Sequence, residues 1–126
     1  MDKGRTLTSE LGAIHIDDEV VSIIAGLAAT EIEGVAGMSG GFAGGIAEAL
    51  GRKNLSKGVK VEVSEQEVTV ALFLIVQYGA RIPDVAWKVQ DSVKKAIESM
   101  TGLAVLNVNI HVQGASFPQE KDGEVE

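Results

Sequence analysis

Imidazole titrates near neutral pH and is the commonest metal ligand, and this chain carries two, His15 and His111. Both fall on stretches that alternate apolar and polar residues in the manner of strands. If the first and last strands pair, the two rings share one wet sheet face. A metal site needs further ligands, and neither an HxH nor an HExxH spacing provides them. The plainer reading is two half-exposed strand residues. The chain has no cysteine, which removes thiolate ligands, thiol nucleophiles and disulfides together. No metal and no other cofactor is expected.

Other catalytic patterns fail on inspection. In the Gly-rich stretch GMSGGFAGG, a phosphate-cradling loop starting at Gly40 would need Lys where Ile46 stands. Gly41-Phe42-Ala43-Gly44 matches a bare GxxG, a spacing that arises by chance in so glycine-rich a segment. It reads as a connector. No serine lies in a GxSxG elbow. Asp17, Asp18 and Glu19 form the densest acidic cluster, and their place suits a helix start, where carboxylates cap free N–H groups and meet the positive helix end.

One basic cluster stands out against a net charge of −7. Arg52, Lys53, Lys57 and Lys60 lie within ten residues without an intervening acid. Such a patch suits an acidic protein, an anionic headgroup or RNA. Its plain alternative is a solvated basic loop. For the chain as a whole, acidity argues against general DNA binding, which relies on cations that displace counterions from phosphates.

Leu11–Ile16 reads as a first strand. The spacing of Val20, Ile23, Ile24, Leu27 and Ala28 predicts a helix that stops near Glu33, ahead of Gly34. Residues 34–57 carry seven glycines, with a short helix over about Phe42–Leu50. Val59, Val61 and Val63 alternate with polar residues as a half-wet strand. A long strand follows over Val68–Tyr78. Pro83 opens a helix with a stripe of Ile82, Val85, Val89, Val93, Ile97 and Met100. The last strand spans Ala104–Gln113, with Leu106, Val108, Ile110 and Val112 facing the core. Residues 1–10 read as a mobile polar segment, 11–118 as one domain and 119–126 as an acidic disordered tail. The order β-α-(short α)-β-β-α-β implies an α+β two-layer sandwich, ferredoxin-like or a close relative.

Two apolar features exceed what such a sandwich buries. The long strand is apolar on both faces, so Phe73 and Ile75 point away from the helices and need a cover. Trp87 lies off the helix stripe, on the side of Asp91 and Lys94, where a lone Trp suggests a contact site. Either the Gly-rich segment folds over these residues or another molecule does. At 126 residues with 45% hydrophobic content, one core is affordable. No stretch reaches the roughly 20 apolar residues of a spanning helix, and Met1–Glu10 lacks the apolar run of a signal peptide.

Ordered blocks of this sequence resemble the alkaline shock protein family, the envelope stress response proteins of Gram-positive bacteria. They are DDEVVSIIAGLAATEIEGVAGM, then LGRKNLSKGVKVEV, then QYGARIPDVAWKVQDSVKKAIESMTGL and VNIHVQG. The similarity spans about Gly12–Phe117. It implies a cytoplasmic protein without catalytic residues that self-assembles, or that is held at the inner membrane face by a small membrane-anchored protein, and supports the cell envelope under stress. It also implies, for some members, a tie to lipid metabolism through a lipid-synthesis enzyme. On this reading Phe73, Ile75 and Trp87 are the interaction surface. The alternative is a regulatory module binding a ligand, RNA or a lipid-synthesis enzyme through residues 40–60.

Overall fold

The computed structural model describes residues 4–39 and 57–117. Strands β1 (Gly4–Ser9) and β2 (Gly12–Asp17) form an antiparallel hairpin. Helix α1 covers Asp18–Thr30. Strands β3 (Val35–Met38), β4 (Val59–Ser64) and β5 (Glu67–Gln77) follow, then helix α2 (Ile82–Thr101) and strand β6 (Ala104–Ser116).

β5 is the spine of the main sheet. Its branched residues alternate, so Val68, Val70, Leu72, Leu74 and Val76 are buried on one face. β6 runs parallel along one edge of β5. β3 and β4 share the other edge, both antiparallel, with β4 opposite residues 67–72 and β3 opposite 74–76. The two meet at Phe73. Its carbonyl accepts the Ser39 N–H, and its own N–H donates to the Gly58 carbonyl, each at 2.8 Å. β3 and β4 are therefore two halves of one strand line, which the chain leaves after Ser39 and rejoins at Gly58. A Cβ at Gly58 would stand 2.8 Å from the Ser39 oxygen and 3.0 Å from the Phe73 oxygen, with φ at +80°. Only glycine fits that junction.

Both helices pack on the same face of this sheet. α1 contributes Val21, Ile24, Ala25, Ala28 and Ala29, and α2 contributes Val85, Val89, Val93 and Ile97. The Ala-rich face of α1 lets the helices approach closely. Gly34 completes the contact: its φ is +103°, and a Cβ there would lie 2.6 Å from Val85 Cγ2.

The α+β class and two-layer build match the sequence reading, while several particulars differ. The first strand does not join the main sheet. It pairs with β1, inside the segment expected to be mobile, so β5 and β6 become direct neighbours across the α2 crossover. The arrangement is a relative of the ferredoxin-like order rather than that order itself. β3 adds a strand inside the Gly-rich stretch, while the expected helix over Phe42–Leu50 lies outside the described residues.

The α1 stripe is turned by one position. Val20 and Leu27 are exposed, and Val21 and Ala25 take the inner places, because the short side chains, not the longest, face the neighbouring helix. On α2, Ile82 and Met100, in its first and last turns, are exposed, and Thr101 is buried instead. Asp17 sits at the helix N-cap position without a capping side-chain bond; its carboxylate meets His15 Nε2 at 3.0 Å.

Candidate interaction surfaces

The largest departure lies in β6 and shapes a groove. A register shift falls between the Val68–Val105 and Thr69–Asn107 pairs. It is a bulge, one extra residue that turns the side chains over. Val105 therefore points inward and Leu106, expected in the core, is 55% exposed. Both Val105 and Leu106 are apolar, so alternation alone had no means to choose between them. Val112, also assigned to the core face, is exposed; Tyr78, just past β5, is exposed as well and stacks on Phe117 with centroids 4.5 Å apart.

Leu106 faces the groove between α2 and β6, an open volume of about 460 Å³ that Trp87 also lines. Trp87 is 63% exposed. Its helical spacing places it beside Asp91 and Lys94 at the groove wall, as their sequence positions imply. The floor is organised by polar side chains of α2. Gln90 Nε2 donates to the Val108 carbonyl at 2.9 Å. Lys94 Nζ donates to the Val105 carbonyl at 3.4 Å and to Glu98 Oε2 at 3.1 Å. Glu98 Oε2 in turn accepts the Val105 N–H at 2.9 Å. The Val105 N–H and then the Lys94 ammonium hold the Glu98 carboxyl below its ordinary pKa. These three helix side chains occupy backbone groups that β6, an edge strand, would otherwise turn to solvent. Sequence reasoning missed all three.

On the opposite sheet face, Phe73 and Ile75 are half-buried. His111 stacks on Phe73, with ring centroids 4.5 Å apart and planes at 11°. Lys60 Nζ stands 5.7 Å from the same centroid, so an ammonium from β4 and an imidazole from β6 flank one ring. Ile75 packs over Gly114, where a Cβ would lie 3.1 Å from its Cδ1. Ser39 Oγ donates to Gln113 Oε1 at 2.8 Å beside this row.

The structure therefore brings Lys60, Phe73 and His111 together, and separates them from Trp87, which lies on α2 across the sheet. Lys57 and Lys60 stand at the start of β4; Arg52 and Lys53 lie outside the described residues. His15 is on the β1–β2 hairpin, away from His111, because the first and last strands do not pair. Among the described residues no group of His, Asp and Glu is arranged to hold a metal ion. No described helix is long and apolar enough to cross a membrane.

The chain is 40% identical over 109 residues to the uncharacterized protein YqhY of Bacillus subtilis (strain 168), covering 86% of this chain and 81% of the relative. It is 38% identical over 110 residues to YloU of the same organism, covering 86% and 92%. A "stress response regulator gls24 homolog" of Streptococcus pyogenes serotype M3 is 30% identical over 122 residues, covering 95% of this chain and 68% of the relative. Among solved structures, MamM-CTD is similar at 13% identity and a TM-score of 0.49, covering 79% of this chain and 95% of that one. A family profile described as having a cell envelope-related function matches residues 6–117. The chain belongs to that family, the alkaline shock protein 23 family.

Proposed function

We propose that this chain is a non-enzymatic interaction protein that self-associates and engages a protein partner at the cytoplasmic membrane face, supporting the cell envelope under stress. The observation that carries the reading is the groove of Trp87 and Leu106: two large apolar side chains, 63% and 55% exposed, facing one open cleft. A large aromatic beside a cleft is the usual anchor of a protein contact, where a few residues supply most of the binding energy. The half-buried Phe73 and Ile75 offer a second, separate surface. The name of the streptococcal relative, a stress response regulator, supports the stress side of the proposal. A partner with a membrane anchor would explain envelope work by a chain whose described helices do not span a bilayer.

The test is solution mass by light scattering over a concentration series, for the wild type and for Trp87→Ala and Phe73→Ala. Trp87 is the chain's single tryptophan, so its fluorescence reports directly on burial at that surface. The expected result is a concentration-dependent larger species that one of the two substitutions removes. A monomer throughout, with partner capture unchanged in both variants, argues against the proposal.

A second reading draws on the placement of Lys60 beside Phe73 and His111: a regulatory module that binds an anionic ligand, RNA or a lipid-synthesis enzyme through residues 40–60. It requires binding that falls with salt and falls again when Arg52, Lys53 and Lys57 are neutralised. Unchanged binding in that triple variant removes it.

A further inference from the structure

Every backbone group of β5 has a direction, and Phe73 fixes it. Its N–H and carbonyl bond to Gly58 and Ser39 on the β3–β4 side. Leu72 and Leu74 therefore turn their groups toward β6. In a parallel ladder the residues opposite them, Ile110 and Val112, turn theirs away, toward the free edge. Val105 and Val108 do the same; Lys94 and Glu98 occupy both groups of Val105, and Gln90 occupies the carbonyl of Val108. No register shift separates the pairs of Val108 and Val112. Among the described residues nothing bonds the outward N–H and C=O groups of Ile110 and Val112.

This open stretch lacks the features that keep edges apart. Natural edge strands carry charges or proline, or lie under other elements. β6 is 13 residues long and has no Asp, Glu, Lys, Arg or Pro. The β4 edge, by contrast, carries Lys60 and Glu62. In a chain of net charge −7, two copies repel generally, and a neutral strand is where they approach at least cost.

We infer that the free edge of β6 pairs with the β6 edge of a second copy, antiparallel, about a two-fold axis beside His111. The inference rests on the self-association proposed above and adds a pairing edge to the Trp87 and Phe73 surfaces named there. The register follows from parity. With His111 opposite its symmetry mate, Ile110 faces the second copy's Val112 and Val112 its Ile110. Each of these pairs exchanges two N–H···O=C bonds, the arrangement of a hydrogen-bonded antiparallel pair. All eight outward groups of Ile110 and Val112 in the two copies find partners. The two His111 side chains meet as a non-hydrogen-bonded pair, and the Phe73–His111 stack of each copy continues across the axis. The half-covered apolar side chains of Ile110 and Val112 join their mates on the helix side.

The test uses the absence of cysteine from the chain. His111→Cys places one thiol at the axis, where Cβ atoms of facing residues lie about 4.5–5.5 Å apart, close to disulfide reach. Lys60→Cys is the control, five strand spacings from its mate, about 24 Å. Full-length protein is oxidised under mild conditions at the concentration where the wild type associates. The expected result is a disulfide dimer of His111→Cys forming at least tenfold faster than that of Lys60→Cys. His111→Lys, which sets two ammonium groups face to face, is expected to shift the wild-type species to monomer while retaining its circular dichroism. Association of the wild type together with no preferential cross-link and an intact His111→Lys oligomer overturns this edge, and leaves self-association through Trp87 or Phe73 standing. A wild type that stays monomeric overturns both.

Discussion

The imidazole of His111 lies nearly parallel to the ring of Phe73, with centres 4.5 Å apart, and the two residues are direct partners across the β5–β6 ladder. Stacked ring pairs contribute about 0.5–1.5 kcal/mol beyond the area they bury. A double-mutant cycle with Phe73→Leu and His111→Asn, read by urea unfolding, is expected to give a coupling of about 1 kcal/mol. Additive effects would mean that the rings do not interact in solution.

Gly34→Ala is expected to destabilise by roughly 2–4 kcal/mol, because it combines a left-handed φ with overpacking of Val85. In a Val85→Ala background the steric part is relieved, so the same substitution should cost about 1 kcal/mol less. Equal costs in both backgrounds would show that the closeness of Gly34 and Val85 is immaterial.

Thr101, at the end of α2, is a buried polar residue. Its hydroxyl donates to the Ile97 carbonyl at 2.6 Å and accepts the Leu103 N–H at 3.1 Å. Thr101→Val keeps the shape and leaves the N–H of buried Leu103 without its acceptor, for an expected loss of about 1–3 kcal/mol. Thr101→Ser retains the hydroxyl and should lose clearly less. Thermal melts of the two variants decide it.

Glu98 has a folded-state pKa below its ordinary value, owing first to the Val105 N–H and then to Lys94. The unfolded state therefore binds its proton more readily than the folded state does. The carboxylate's contribution is fully present above the unfolded value and is lost as pH falls through the folded one. Wild type should be more stable than Glu98→Gln at pH 7, with the gap closing in acid. A gap that stays constant with pH would contradict the assigned cause.

Trp87→Ala should change stability by no more than about 0.5 kcal/mol, since an exposed side chain off the core face contributes little to folding. Its effect is expected in association. A large loss in the urea midpoint would show instead that Trp87 is covered by its own chain.

Much of the fold was legible because periodicity reports burial. β5, α2 and the half-wet β4 stand within one residue of their expected ends, and the α2 positions Val85, Val89, Val93 and Ile97 face inward as their spacing requires. The misreadings share a cause. At Leu106 and Val105, and at Val20 and Val21, two adjacent apolar residues compete for one inward place. A bulge or a neighbouring helix decides between them, and neither is a local property. The pairing of β2 with β1 escaped notice because the first ten residues are polar and hairpin register leaves little hydrophobic signal there. The exposure of Trp87 was readable from its angle on the helix. The three side chains that guard the β6 edge were not, since nothing in Gln90, Lys94 or Glu98 announces a strand partner 18, 11 or 7 residues away.

The joining of β3 and β4 at Phe73 has a consequence for engineering. Because Ser39 and Gly58 already bond to the same residue, whatever chain runs between them begins and ends at one spot on the sheet's rim. Lengthening such a connection costs only about 0.6 kcal/mol per doubling. A fluorescent protein with neighbouring termini could be spliced between Ser39 and Gly58, away from the β6 rim and away from Trp87, to yield a cellular tracer that leaves those two surfaces uncovered and sits beside Phe73, which bonds both residues.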